Sequence, residues 1–564
     1  MKKNILFCFG VALLGISCSN DFTEVVPSNN VSTKEVFTDI SRAQSFLNPA
    51  YGSVRNSPWI SLDAQTHNVV SKSGPSRTAV SGATAESSPV SGEWNSAIGK
   101  ILHINEFFEK GFNVTYDAFD EEFAEALKKR IRGEAFGLRA YYKWILLKNF
   151  AGPSAQDPNT MLGIPIIDEV LTIDNTNDIP RSTYMQSYAN IQKDLDSALT
   201  NINLLRYAGD GDVDGVRLTS RISGEMIWAL RARMALFAAS PAFEQISWEE
   251  AANTAYDAIA AIDEGAIKDL QPFGNFNNVD NPDHFWRRSF SENGSLESQN
   301  FPPSLFGNGD WNPSQNLVEV FPDSLGYPIT DPNSIYDPVE PYANRDPRFE
   351  RFVFHNGENE FRNAFIEVFA GGKDAQGGIR KQATRSGYYL KKFLSDNINL
   401  DVEANANKED YKVYPIFDRG GLYLDFAEAA IEAYGIAGKG GDMVFSAKEV
   451  LSVIRKRAGI STDQYLDLAI SDLKAYRNLI RNERRIEYAF EGEYYYDLRR
   501  WKVSLEELNQ PVLGIEVGKE ASDKFNYTAT EIESRSFEEY MYYNPIPRNE
   551  VLKSNTLIQN FGWQ

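Results

Sequence analysis

The sequence predicts a mainly α protein: a scaffold of stacked helical hairpins interrupted by a large, irregular, loop-rich lobe with short strands. Three observations carry that reading. Apolar and small residues recur at helical spacing in two separate blocks. Gly, Pro, Asn, Ser and aromatic residues crowd two long stretches that have little periodicity. Beyond the N-terminus, no segment approaches the roughly twenty apolar residues that a membrane helix needs.

In the first block, residues 120–150 place Phe123, Leu127, Ile131, Ala135, Leu138, Tyr142 and Ile145 at helical spacing, and residues 184–205 repeat the pattern. Residues 221–243 and 248–263 are rich in alanine and end near Pro241 and Gly265, which are natural helix stops. The second block comprises residues 422–434, 447–459 and 472–490. Paired amphipathic helices with small residues at contact points suggest hairpins stacked like tetratricopeptide repeats. The helical scaffold is therefore placed mainly at 95–264 and 420–505. The aperiodic stretches, 53–93 and 265–413, are long for a compact domain, and loops of that length are more often functional than idle.

The N-terminus reads as an export leader. Lys2 and Lys3 precede an apolar stretch from Ile5 to Ile16, and small residues lead to Cys18. Residues 1–17 are assigned to a lipoprotein signal peptide, with Cys18 as the acylated first residue; ordinary secretion with cleavage nearby is the alternative. Residues 18–40 form a tether and 41–564 the folded domain. Cys8 leaves with the leader, so one cysteine remains and no internal disulfide can form. The formal charge of −21 becomes −23 once Lys2 and Lys3 are removed. Such acidity argues against nucleic acid and against flat contact with anionic lipid, leaving the lipid as the membrane attachment.

Residues 481–501 interleave arginines, carboxylates and large aromatics in one helical stretch. Glu483, Glu487 and Glu491 lie four apart and invite comparison with glycosidase carboxylates, but those must flank a scissile bond across a cleft. Three on one helix face beside Arg481, Arg484, Arg485, Arg499 and Arg500 read as ion-paired supports. Asp210, Asp212 and Asp214 copy half of a calcium loop whose twelfth position is Arg221, which excludes a complete site of that type and leaves a loose site or a plain acidic turn. His67, His103, His284 and His355 show no ligand spacing. No catalytic residue, metal ligand or cofactor is expected.

Binding is better supported than catalysis. Sugars present flat apolar faces ringed by hydroxyls, which suit exposed aromatic platforms with a few polar partners. The first loop holds Trp59 followed by Asp63, His67 and Arg77; the second holds Trp286 and Trp311 among phenylalanines, asparagines and glycines, with Asn312 adjacent. Trp59, Trp286 and Trp311 are the expected platforms, and Asp63, His67, Arg77 and Asn312 their polar partners. Each tryptophan could instead pack beneath its own loop.

The run Glu483, Arg484, Arg485, Glu487, Ala489, Phe490, Glu491, Gly492, Asp497, Leu498, Arg499, Arg500 and Trp501 resembles the C-terminal signature of the SusD/RagB family, cell-surface nutrient-binding lipoproteins. Tyr488 stands where that signature has leucine, and Glu493 where a basic residue is common. Further matches fall in order: Asn105, Arg139, Pro180 to Thr183, Pro313 to Gln315, Arg345 to Arg348, and Tyr543 to Gly562. The resemblance implies about four helical hairpins, a ligand surface built from the two variable regions, and a location on the outer face of the outer membrane. It also implies a non-enzymatic receptor that captures an oligosaccharide or polysaccharide and passes it to a SusC-like TonB-dependent transporter. A peptide receptor of the RagB-like branch is the alternative, and a glycoside hydrolase a more distant one.

Overall fold

The computed structural model describes residue 37 and residues 39–563 apart from 113–119, 172–178, 274–277, 279, 360, 405, 469–472 and 523. The leader, Cys18 and most of the tether lie outside the described residues. Among the described residues, eight helices have twelve or more residues. They are α1 (Ser91–Gly111), α2 (Glu121–Phe150), α3 (Tyr184–Ile202), α4 (Gly224–Ala239), α5 (Trp248–Asp263), α6 (Arg419–Tyr434), α7 (Ala447–Ala458) and α8 (Leu473–Glu487).

Local chemistry sets their ends. The carboxylate of Asp120 accepts the Phe123 N–H, Ser247 accepts that of Glu250, and Thr183 forms a capping box with Gln186. At the other end, α3 and α5 stop at the left-handed residues Asn203 and Glu264, and α7 stops at Gly459 with φ 99°. Each helix from α1 to α6 packs on the next, and α6 also receives α7 and α8. One apolar core runs through this stack, from Ala97 and Ile101 in α1 to Leu479 and Ile480 in α8. Trp94 belongs to it, edge-on to Phe150 at 5.1 Å. The scaffold is tetratricopeptide-like, and it includes the short helix α9 (Glu493–Arg500) that completes the signature run.

The lobe is organised by antiparallel pairs. β1 (Val69–Ser71) pairs with β3 (Trp311–Pro313), and β2 (His284–Asn293) with β6 (Asp410–Asp418). β4 (Val353–Phe354) pairs with β5 (Tyr389–Leu390), and β7 (Val512–Lys519) with β8 (Phe525–Glu533). The β2–β6 ribbon is longer than the short strands expected. Its partners lie more than a hundred residues apart, and local periodicity carries no signal for such pairing. A second apolar cluster joins Ile60 and Val69 of the first loop to Leu317, Phe349 and Leu390 of the lobe and to Ile486 and Phe490 of the signature run. No helix among the described residues is long and apolar enough to cross a membrane.

Candidate functional site

The signature run is a buried brace. Arg484 reaches Asp425 at 2.8 Å and Asp497 at 3.1 Å, and Arg500 pairs with Glu428 at 2.6 Å and Asp497 at 2.7 Å. Glu483 bridges Arg348 and Arg455, while Glu487 bridges Arg348 and Arg457. Burial raises the Glu483 carboxyl, but the two guanidiniums outweigh it and hold it below the usual range. The three carboxylates Glu483, Glu487 and Glu491 are ion-paired supports, as the sequence suggested, but their partners are Arg348, Arg455, Arg457 and Lys392 rather than the arginines of the run itself.

Other motif residues are stitches too. Asn560 accepts from Arg181 at 2.8 Å and donates to the carbonyls of Phe150 and Asn544. Arg139 pairs with Asp194 and donates to Asn105 Oδ1.

The two variable loops do meet. In the β1–β3 ladder, Ser71 faces Trp311 and Val70 faces Asn312. Most of the expected ligand-binding side chains nevertheless point inward. Trp286 is 0% exposed; it lies edge-on to Tyr141 at 4.9 Å in the scaffold core, and its indole N–H donates to the Ser220 carbonyl. It cannot offer a face to a sugar, which corrects its assignment as a platform. The register of the β2–β6 ladder shifts on either side of Trp286, and Phe285 and Trp286 both join the helical core.

Asp63 and Asn312 are likewise fully buried. The Asp63 carboxylate accepts from Gly492 N–H at 3.0 Å and from Asn68, and burial pushes its pKa up to about 7 against those bonds. Asn312 donates to the Gly309 carbonyl and accepts from Arg385 N–H. His67 contacts the Gln510 carbonyl at 2.9 Å through Nε2, and burial lowers its pKa to about 4. These three hold loops together rather than meeting ligand. Their small polar side chains gave no sign of which way they face. Trp59 and Trp311 are half-buried, and Arg77 is exposed at the start of the short helix Arg77–Val80.

Trp59 lines a cleft of about 350 Å³ between the first loop, α2, β6 and the signature run. Arg55 stacks 3.4 Å above its ring and pairs with Glu93 at 3.1 Å. Across the cleft, Lys148 lies 4.0 Å over Tyr496 and 3.5 Å from Glu493, which also faces Arg233 at 3.5 Å. Glu491 is tied to Lys392 at 2.7 Å, yet burial keeps its pKa at about 7. Burial also lowers the pKa of Lys148. Tyr141 and Tyr414 add aromatic surface. The lining thus combines three cations (Arg55, Lys148, Arg233) with three carboxylates (Glu93, Glu491, Glu493) and several ring faces. Arg55, Glu93, Lys148 and Glu493 were missed in the sequence because they come from four separate segments. The nearness of Arg55 to Trp59 in the sequence is the one signal that pointed to any of them. The Asp210–Asp214 segment is a turn closed by the Gly215 N–H to Gly211 carbonyl bond at 2.9 Å, with Asp212 paired to Arg217.

Comparison with known proteins agrees with this architecture. A model described as the SusD family matches residues 275–563, just over half of the chain, and one described as "starch-binding associating with outer membrane" matches residues 27–207. SusD-like protein P25 of Formosa agariphila is 24% identical over 280 residues, 47% of this chain and 48% of that protein, so the match spans about half the length of the curated relative. A SusD-like protein from Bacteroides fragilis superposes with TM-score 0.72 at 22% identity, covering 94% of this chain and 98% of its own. A SusD-like carbohydrate binding protein from the same species gives 0.71 at 17% identity, with coverage of 93% and 100%. A laminarin binding SusD-like protein gives 0.56 at 19%, with coverage of 93% and 100%. These likenesses concern the fold. The family model carries the assignment further, and by its extent this chain belongs to the SusD family.

Proposed function

We propose that this protein is a non-enzymatic glycan receptor, held to the outer membrane by lipid on Cys18 and facing the exterior. It captures an oligosaccharide or polysaccharide and hands it to a SusC-like TonB-dependent transporter. The cleft at Trp59 supports the reading. Its charges compensate one another, so it offers hydroxyl groups both donors and acceptors beside ring faces without selecting a charged ligand. The solved relatives named for carbohydrate and laminarin binding favour the same ligand class. A half-open cleft with few aromatic contacts implies weak binding of one sugar unit and stronger binding of an extended chain.

The test is calorimetry of the soluble domain against a glycan panel and a peptide panel, with assay for released reducing ends. Binding to a glycan without cleavage supports the receptor reading. Binding to peptides alone replaces it with a peptide receptor. Release of reducing ends makes the protein a hydrolase, for which Glu491, with its pKa held near 7, is the first carboxyl to mutate. In cells, Cys18→Ala is expected to free the protein from the membrane fraction, and its persistence there removes the lipid anchor from the proposal.

A further inference from the structure

Away from the cleft, the lobe gathers a second group of side chains. Glu350, His355 and Glu358 each bring a potential ligand atom to within 4.8 Å of the others. Glu350 is in the helix Pro347–Phe352, His355 follows β4, and Gly357, at φ 85°, reverses the chain so that Glu358 returns to the same place. A spacing of five residues before the histidine and three after it is no familiar metal motif, which is why His355 passed as an isolated histidine in the sequence.

The protonation chemistry of this cluster is informative. His355 Nδ1 lies 3.0 Å from the Asn356 carbonyl oxygen, which can only accept, so Nδ1 carries a proton. That arrangement directs Nε2 towards Glu350 Oε1, 2.9 Å away. That contact is a direct hydrogen bond; two ligand atoms on one tetrahedral ion at about 2.0–2.2 Å stand roughly 3.4 Å apart, so the pair has only to part by about half an ångström to admit one. The imidazole is packed against Tyr342 at 4.1 Å and Phe349 at 5.2 Å, which fixes its plane. A backbone carbonyl on Nδ1 is the usual outer support of a histidine that binds metal through Nε2.

Glu358 supplies an independent observation. It is 4% exposed, and Lys391 occupies its Oε1, but its Oε2 is buried with no hydrogen-bond partner. Buried carboxylate oxygens are rarely left without a donor. Lys391 also donates to the Glu350 carbonyl at 2.6 Å, so it holds Glu358 in place without covering Oε2. The Glu350 side chain is 40% exposed, which gives an ion a route in and leaves room for water to complete its coordination.

We propose that Glu350, His355 and Glu358 form a binding site for a divalent transition-metal ion, with Zn²⁺ the best match. His355 Nε2 and one oxygen from each carboxylate are the protein ligands. Imidazole nitrogen with two carboxylates suits Zn²⁺, whereas Ca²⁺ takes six to eight oxygens. Lys391 remains on Glu358 Oε1, and any proton on Nε2 leaves to solvent as the ion enters. The ion ties the helix Pro347–Phe352 to the returning turn and so stiffens the lobe. This inference stands apart from the glycan reading and needs no sugar for its test.

The test is titration of chelator-stripped full-length soluble protein with Zn²⁺ by calorimetry, with Ca²⁺ in a parallel arm and melting followed in both. One equivalent of Zn²⁺ is expected, with a raised melting temperature. Glu350→Gln and His355→Gln should each weaken Zn²⁺ binding by more than the about 10–100-fold that loss of an outer-shell partner costs. Glu350 lies at the solvent edge, so its variant keeps the melting temperature of stripped wild-type protein and separates lost ligation from lost folding. His103→Gln, far from the cluster in sequence and stacked on Phe46, should bind as wild type. The proposal is overturned if wild type takes up no Zn²⁺, if Glu350→Gln and His355→Gln bind it unchanged, or if Ca²⁺ alone binds.

Discussion

The Asp63 carboxylate accepts the Gly492 backbone N–H at 3.0 Å, and that bond joins the first variable loop to the signature run. Gly492 caps α9 with φ 84°, a conformation that disfavours any side chain. A Cβ there would meet Trp59 Cβ and the Trp59 carbonyl at 3.1 Å, and Leu62 Cβ at 3.2 Å. The signature glycine therefore lets the loop bearing Trp59 lie directly on the brace.

Gly492→Ala is expected to disturb Trp59 as well as the fold. A non-glycine residue held in such a region costs about 1–3 kcal/mol, and the contact with Trp59 must also open. Denaturant unfolding should show that loss, and calorimetry a parallel loss of glycan affinity. Unchanged affinity in a destabilised variant would separate Trp59 from the ligand.

The same junction makes stability depend on pH. Asp63 is pushed from the usual carboxylate range to about 7 by burial, opposed by the Gly492 and Asn68 hydrogen bonds; Glu491 raises it and Lys392 lowers it. A raised carboxyl binds more protons folded than unfolded between about pH 4 and 7, so its contribution is present at low pH and is lost as pH rises through 7. Glu491, also near 7, acts in the same direction, whereas the depressed Glu483, Glu428 and Asp497 lose their contribution as pH falls. Asp63→Asn isolates one contribution. Relative to wild type, it should gain stability with rising pH, by up to about 1.4 kcal/mol per pH unit between 4 and 7. A pH-independent difference between the two proteins would refute the assignment.

Glu483 is the keystone of the ion-pair network. It is 1% exposed and lies between Arg348 and Arg455, themselves fully buried. Glu483→Ala leaves two guanidiniums short of a counter-charge and should cost about 3–5 kcal/mol in chemical denaturation. Glu487→Ala should also destabilise the fold but by less, because Glu487 is 8% exposed at its side chain and Arg348 retains Asp346. Equal small losses would mean that the network relaxes around water.

The sequence revealed the scaffold well and the site poorly, for reasons visible in single residues. Helical periodicity reports burial on a face, so α5 was legible over residues 248–263, and α2 to within one residue at its start. Motif residues such as Arg484, Arg181 and Asn560 were legible through the family resemblance, since their partners lie far along the chain. Facing direction in the lobe was not legible. Trp286 and Trp311 sit in equally aromatic sequence, yet one is at the core and the other half-buried at the pairing edge of a strand. What separated them was pairing with partners far along the chain, Phe417 for one and Ser71 for the other. The cleft was hidden for the same reason, since Arg55, Lys148 and Glu493 meet only after the scaffold has formed.

The two tryptophans now predict opposite phenotypes. Trp286→Ala removes a fully buried ring from between Tyr141 and the Ser220 carbonyl, a truncation that typically costs about 3–5 kcal/mol. Folded molecules of that variant should still bind glycan with near wild-type affinity, because no face of Trp286 reaches solvent. Trp59→Ala removes a half-buried ring that lines the cleft and orients Arg55, which is also the partner of Glu93. Its stability loss should be the smaller of the two, while glycan affinity falls at least about tenfold, some 1.4 kcal/mol. Arg55→Lys separates the ring from its cation. Lysine keeps the charge near Glu93 but not the planar stack, so retained affinity would assign recognition to the tryptophan face, and lost affinity to the guanidinium that Trp59 holds in place. If Trp59→Ala binds as wild type, the ligand lies elsewhere on the loops, and the half-buried face of Trp311 becomes the position to mutate.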